Sequence, residues 1–146
     1  MLRYVTVEDF DQWLEMAKEV EPLFGDMVGV ADFEAGIKAC IADSSALCVT
    51  QADDDVAGII AFSKETNEIL WLAVKNKYRK KGYGYDLVEA AIQHLDTDKP
   101  IYVQTFAAHV DAGLAARKLY LHFGFKDDKD GGKNPAGVDT TIMRLG

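Results

Sequence analysis

Five cations, Lys75, Lys77, Arg79, Lys80 and Lys81, fall within seven residues, and Gly82 and Gly84 follow at once. The chain as a whole is acidic, with 16 Lys plus Arg against 24 Asp plus Glu and a net charge of −8. An acidic protein that gathers cations on one glycine-containing loop is suited to holding a polyanion there, and phosphate chemistry is the first candidate; a solvated basic turn is the plainer alternative. The flanking elements favour the ligand. Glu68 is followed by six uninterrupted apolar residues, Ile69 to Val74, the length of a buried strand. Beyond the loop, Val88, Ala91, Ile92 and Leu95 recur at helical spacing, with Asp86, Glu89 and Gln93 on the other side. The loop therefore ends on a helix N-terminus, where free backbone N–H groups and the helix dipole hold an anion without any side chain.

Two familiar anion loops do not fit. A P-loop ends in GK[ST], whereas Gly84 is followed by Tyr85 and Asp86. A dinucleotide loop needs a third small residue, and Leu87 puts bulk at that position. What remains is R-x-x-G-x-G, Arg79 to Gly84, after a strand ending Leu72-Ala73-Val74. This resembles the acetyl-coenzyme A loop, [QR]-x-x-G-x-[GA], of the GNAT-type N-acetyltransferases. A second segment, Ala112 to Phe125, places Ala116, Leu119, Tyr120 and Phe123 at helical spacings with Gly124 as a C-terminal stop. It is similar to the family's A-x-x-L-Y-x-x-x-G-F. The two motifs stand in the family's order, separated by a strand-like run at Ile101 to Phe106. The resemblance extends from Arg3 to Leu145, carried outside these motifs by the order of elements.

Those elements read as strands at Arg3–Val7, Ala46–Gln51, Val56–Ser63, Ile69–Val74, Ile101–Phe106, Phe125–Asp127 and Val138–Leu145. Helices are expected from Val7 to about Val20, with Thr6 as N-cap and a break at Glu21 to Gly25, and from Asp32 to Ala42. Asp130 to Pro135 reads as a loop by composition. Helices between some strands and hairpins between others predict a mixed α/β (α+β) fold with helices on both faces of the sheet. The resemblance implies the same: a GNAT-like, largely antiparallel sheet of about seven strands, splayed between the fourth and fifth, with the pantetheine arm in the V. At 146 residues and 49% hydrophobic, the chain predicts one domain over 1–146. No apolar run nears 18 residues and the first ten residues are not signal-like, so a cytoplasmic location is expected. Cys40 and Cys48 have neither zinc nor disulfide spacing and read as small core residues in a reducing compartment. Neither a nucleic-acid nor a membrane partner is expected, and no metal site is expected of His94, His109 or His122, the first two read as surface residues.

The resemblance also assigns roles. It places the backbone of Leu72, Ala73 and Val74 along the pantetheine arm, with a strand N–H, first among them that of Val74, polarising the thioester carbonyl. Arg79, Lys80, Lys81, Gly82, Tyr83, Gly84 and Tyr85 would hold the pyrophosphate, the two glycines by clearing space for its approach. Tyr120 matches the family's tyrosine beside the sulfur and, un-ionised at neutral pH, can protonate the departing thiolate. Glu68 stands where several members carry a glutamate that acts through water as general base. One departure stands out: seven residues before the tyrosine the family often carries an asparagine, and here that residue is Gly113. The acceptor end is read from Glu8 to Glu34, where nine acids face one base, Lys18. If they line the cleft the acceptor is a cationic amine; if they are the solvated faces of two helices they carry no such meaning. The expectation is an acetyl-coenzyme A dependent N-acetyltransferase acting by direct attack of a primary amine, small-molecule or peptide, in a family where homodimers are common. The rival is a non-catalytic acyl-coenzyme A sensor on the same fold.

Overall fold

The computed structural model describes residues 1–146. Its strands are β1 (Leu2–Tyr4), β2 (Ala46–Thr50), β3 (Val56–Ser63), β4 (Glu68–Val74), β5 (Ile101–Phe106), β6 (Lys126–Lys133) and β7 (Asp139–Leu145). They form one sheet in the order β1-β2-β3-β4-β5-β7-β6. The helices are α1 (Phe10–Phe24), α2 (Ala31–Ala42), α3 (Tyr83–His94) and α4 (Leu114–His122). Only β4 and β5 run parallel, and α3 is the crossover that such a pair requires.

Strand alternation sends neighbouring residues to two separate cores. Leu47, Val49, Ile60, Phe62 and Ile69 face α3 and α4. Ala46, Cys48, Ile59 and Ala61 face α1 and α2, around Trp13, Met16 and Ile37. Gly58 lets α3 lie close to the sheet: a Cβ there would stand 3.0 Å from Leu87 Cδ1 and 3.1 Å from the Ala73 carbonyl oxygen.

The sheet is splayed as expected. β4 and β5 pair only at Glu68↔Tyr102 and Ile69↔Val103. At the same level the β3–β4 register shifts, Ala61 pairing with Trp71 and Phe62 with Ile69, so that Leu70 is left over as a bulge. A bulge bends its strand away from the neighbour, and Leu70 is 50% exposed where the two strands part.

Three boundaries and one burial differ from expectation. The first strand ends at Tyr4 because Asp9 reaches back to accept the Thr6 N–H at 2.8 Å and sets up a 3-10 turn, Val7–Asp9, ahead of α1. α1 runs through Pro22 to Phe24, since a proline in the last turn forfeits a single backbone bond; Gly25, at φ 103°, ends it. β6 continues through Asp130-Gly131-Gly132 to Lys133, with register shifts after Asp127 and Asp130 that absorb the extra residues. His94 is half-buried: its Nδ1 lies 2.8 Å from the Ala90 carbonyl and its Nε2 3.0 Å from the Tyr4 hydroxyl.

Candidate active site

The gap between β4 and β5 opens toward the N-terminus of α3. Lys75 N–H donates to the Ala57 carbonyl of β3 at 2.8 Å, which sets the alternation along β4. The backbone groups of Ala73 then also turn to β3, where its carbonyl lies against Gly58. Those of Leu72 and Val74 turn the other way, toward the space β5 has left. The Val74 carbonyl there accepts from Arg79 Nε at 3.2 Å. Of the three expected backbone contacts, the strand thus presents Leu72 and Val74 to the cleft and Ala73 to its neighbour.

The loop carries less free charge than its composition suggests. Lys75 is buried, its Nζ donating to Asp55 at 2.9 Å and to Gln12 Oε1 at 3.2 Å. Lys77 lies 3.3 Å from the same Asp55. The Tyr78 hydroxyl, donating at 2.6 Å, and then Lys75 hold the Asp55 carboxyl far below the usual carboxylate range. Arg79, Lys80 and Lys81 remain exposed beside the helix terminus.

The glycines have reasons of their own. Gly82 caps α3 at φ 85° with open space where a Cβ would go, so its requirement is the left-handed backbone. A Cβ on Gly84 would lie 3.2 Å from Leu119 Cδ2, so this glycine admits α4 against α3. The first intrahelical bond is Asp86 N–H to Gly82 carbonyl, which leaves the N–H groups of Tyr83, Gly84 and Tyr85 unpaired within the helix. The side chains of the two tyrosines are engaged elsewhere: Tyr83 accepts from Gln51 at 2.7 Å and Tyr85 packs on Phe123 at 4.8 Å between centroids.

Tyr120 is buried in the α3–α4 core, edge-on to Phe125 at 5.6 Å. Burial pushes its phenol well above the ordinary tyrosine range, so it stays protonated. The Tyr120 hydroxyl makes no hydrogen bond within the protein, and Trp13 Nε1 is the one fully enclosed side-chain polar atom without a partner. Glu68, half-buried, accepts from Thr66 Oγ1 at 2.9 Å. Because Ile69 points to the α3–α4 core, alternation puts Glu68 on the α1–α2 face. The two candidate proton-transfer residues thus approach β4 from opposite sides.

At Gly113 a Cβ would lie 2.7 Å from Cδ2 of the Phe106 ring and 2.9 Å from its Cγ. Phe106, stacked on Phe24 at 4.9 Å, occupies the room an asparagine would need, a trade between β5 and α4 that no local spacing reveals. The acids of the leading helices have mostly structural or solvent roles. Asp9 is buried on Arg3, at 2.7 and 2.9 Å; Glu21 accepts the N–H groups of Met27 and Val28; Glu34 accepts that of Gly29. Glu8, Asp11, Glu15, Glu19, Asp26 and Asp32 are exposed. A cavity of about 480 Å³ beside α4 lies outside the cleft, and its charges apart from Asp130 are mutually paired, Arg117 with Asp127 at 2.7 Å and both His109 and Lys133 with Asp139 at 3.0 and 2.7 Å.

Comparison with solved structures finds this architecture repeatedly. An N-acetyltransferase from Staphylococcus aureus Mu50 superposes with a TM-score of 0.76 at 18% identity, over 99% of this chain and 96% of that one. The ribosomal-protein-S18-alanine N-acetyltransferase from Escherichia coli gives 0.74 at 18% identity, over 99% and 92%. A putative acetyltransferase from Salmonella typhimurium, solved with acetyl-CoA, gives 0.75 at 16% identity, over 99% and 92%. A search of curated proteins finds no match. A family model described as the acetyltransferase (GNAT) domain matches residues 16–146, and with the parted strands, the glycine-capped helix and the buried tyrosine in place, the chain belongs to the GNAT acetyltransferases.

Proposed function

We propose that the protein, as one cytoplasmic domain, moves an acetyl group from acetyl-coenzyme A to a primary amine by direct attack. The observation that carries this reading is the gap beyond Ile69↔Val103, which leads past the open backbone groups of Leu72 and the N–H of Val74 straight to the N-terminus of α3. A pyrophosphate at the N–H groups of Tyr83, Gly84 and Tyr85, with Arg79, Lys80 and Lys81 around it, would send the pantetheine arm along β4. An extended arm spans roughly four or five strand residues at about 3.3 Å each. Val74, next to the loop, then meets the start of the arm. The thioester falls near the bulge, and the strand donor proposed for its carbonyl shifts from Val74 to Leu72.

The amine attacks the carbonyl carbon from the α1–α2 face, where Glu68, through water, takes its proton. The tetrahedral intermediate collapses with cleavage of the C–S bond, and Tyr120 protonates the sulfur from the opposite face. Burial pushes the thiols of Cys40 and Cys48 above the ordinary cysteine range, which disfavours the thiolate that an acetyl-cysteine intermediate would need. The test is release of free thiol from acetyl-coenzyme A across a panel of amines, alongside thermal shift with coenzyme A, ATP and NAD. Turnover with any amine is expected. Stabilisation by coenzyme A with no turnover would favour a sensor, and stabilisation by ATP or NAD alone would sink the reading.

A further inference from the structure

Asp55 closes the turn between β2 and β3 and lies directly beneath the segment that leads into the cofactor loop. Its carboxylate receives Lys75 Nζ at 2.9 Å and the Tyr78 hydroxyl at 2.6 Å, with Lys77 Nζ at 3.3 Å. Its backbone carbonyl accepts from Gln51 N–H at 2.8 Å. Gln51 in turn donates through its side chain to Tyr83, the first residue of α3, whose ring meets Tyr78 edge-on at 6.4 Å. Gln12 of α1 joins the same knot, accepting from Lys75 Nζ and from Val56 N–H. The end of β4 and the start of α3, the two posts between which Arg79 to Gly82 is strung, are therefore tied to one residue, the first through the Asp55 carboxylate and the second through the Asp55 backbone and the ring of Tyr78 that the carboxylate holds.

A negative charge at this place opposes anion binding. It draws Lys75 and Lys77 inward and sets its own field against the incoming phosphates. Charge and position thus predict opposite signs for its removal. We propose that position prevails: Asp55 is a positioning residue that holds the loop and the first N–H groups of α3 in the arrangement that binds the pyrophosphate of coenzyme A. This rests on the coenzyme A site proposed above.

The decisive comparison is Asp55→Asn in the full chain, with coenzyme A affinity measured by calorimetry and acetyl transfer measured with acetyl-coenzyme A and with S-acetylpantetheine, which lacks the pyrophosphate. The Kd for coenzyme A and the KM for acetyl-coenzyme A are expected to rise about tenfold or more, as when one partner of a charged hydrogen-bond cluster is lost. The kcat with acetyl-coenzyme A should stay within about twofold, and kcat/KM for S-acetylpantetheine likewise. Tyr78→Phe, which deletes one hydroxyl, should shift Kd the same way by a smaller factor, and it carries the test if Asp55→Asn does not fold. Unchanged or tighter coenzyme A binding overturns the proposal, as does an equal loss with both thioesters, which marks a general role in the fold. Wild-type protein that fails to bind coenzyme A would instead overturn the function on which it rests.

Discussion

Tyr120 and Glu68 are asked to move protons in opposite directions, and their surroundings differ accordingly. Tyr120 sits in an apolar core that favours the neutral phenol, as an acid requires, whereas Glu68 stands half-exposed at a strand start beside Thr66. Replacing Tyr120 with Phe should lower kcat by about 10² or more, the usual contribution of a general acid, in steady-state thiol-release assays. Since burial raises its pKa, Tyr120 should contribute no limb to the pH–rate profile between roughly neutral pH and 9. Glu68→Gln should remove the acidic limb of kcat/KM, and a variant that keeps it would exonerate the residue. The helix that carries Tyr120 was legible because the residue and its helical neighbours lie within one short segment. Asp55 and Phe106 were not. Asp55 looks like one more acid of a surface turn, and only folding brings Lys75 and Tyr78 to it; Phe106 reads as the end of a strand until Gly113 is found against its ring.

Strands within apolar runs were readable almost to the residue, as Val56–Ser63 illustrates, because burial on both faces leaves a continuous signal. β6 was not, since an edge strand with mostly exposed side chains needs no apolar alternation, and its charges guard the edge instead. The Leu70 bulge was hidden for the converse reason: inside an unbroken apolar run, nothing in residue type marks the one that fails to pair. How closely α3 approaches the sheet is testable at Gly58. Alanine there would press a Cβ on the Ala73 carbonyl as well as on the movable Leu87, and overpacking of this kind costs about 1–3 kcal/mol. At roughly 2–4 °C per kcal/mol for a chain of this size, calorimetry should show the melting midpoint fall by several degrees. Coenzyme A affinity should fall with it, because α3 carries the loop's N–H groups away as it moves.

For the molecule as a whole, the net charge of −8 sets the background against which individual pairs must act. The pair between Arg3 and Asp9 bears on acid stability, because Asp9 is buried and both terminal guanidinium nitrogens of Arg3 hold its carboxylate, at 2.7 and 2.9 Å. The Arg3 hydrogen bonds keep its carboxyl below the usual carboxylate range, outweighing the cost of burial. A depressed folded pKa means stability that is present above the unfolded value of about 3.9 and is lost as pH falls through the folded one. Asp9→Asn should therefore cost about 1–3 kcal/mol at neutral pH, discounted from a fully buried pair because Arg3 is partly exposed. That difference should shrink in urea titrations below about pH 4.

The two pairs that join β4 to β5 leave the protein as two half-sheets meeting at a short seam. Beyond that seam the peptide groups of Leu72 and Val74 have lost their neighbour strand. An acyl donor carrying amides of its own, laid into the gap, would serve as a guest strand and complete the ladder that the chain leaves unfinished. The donor is then part of the architecture as well as a reactant.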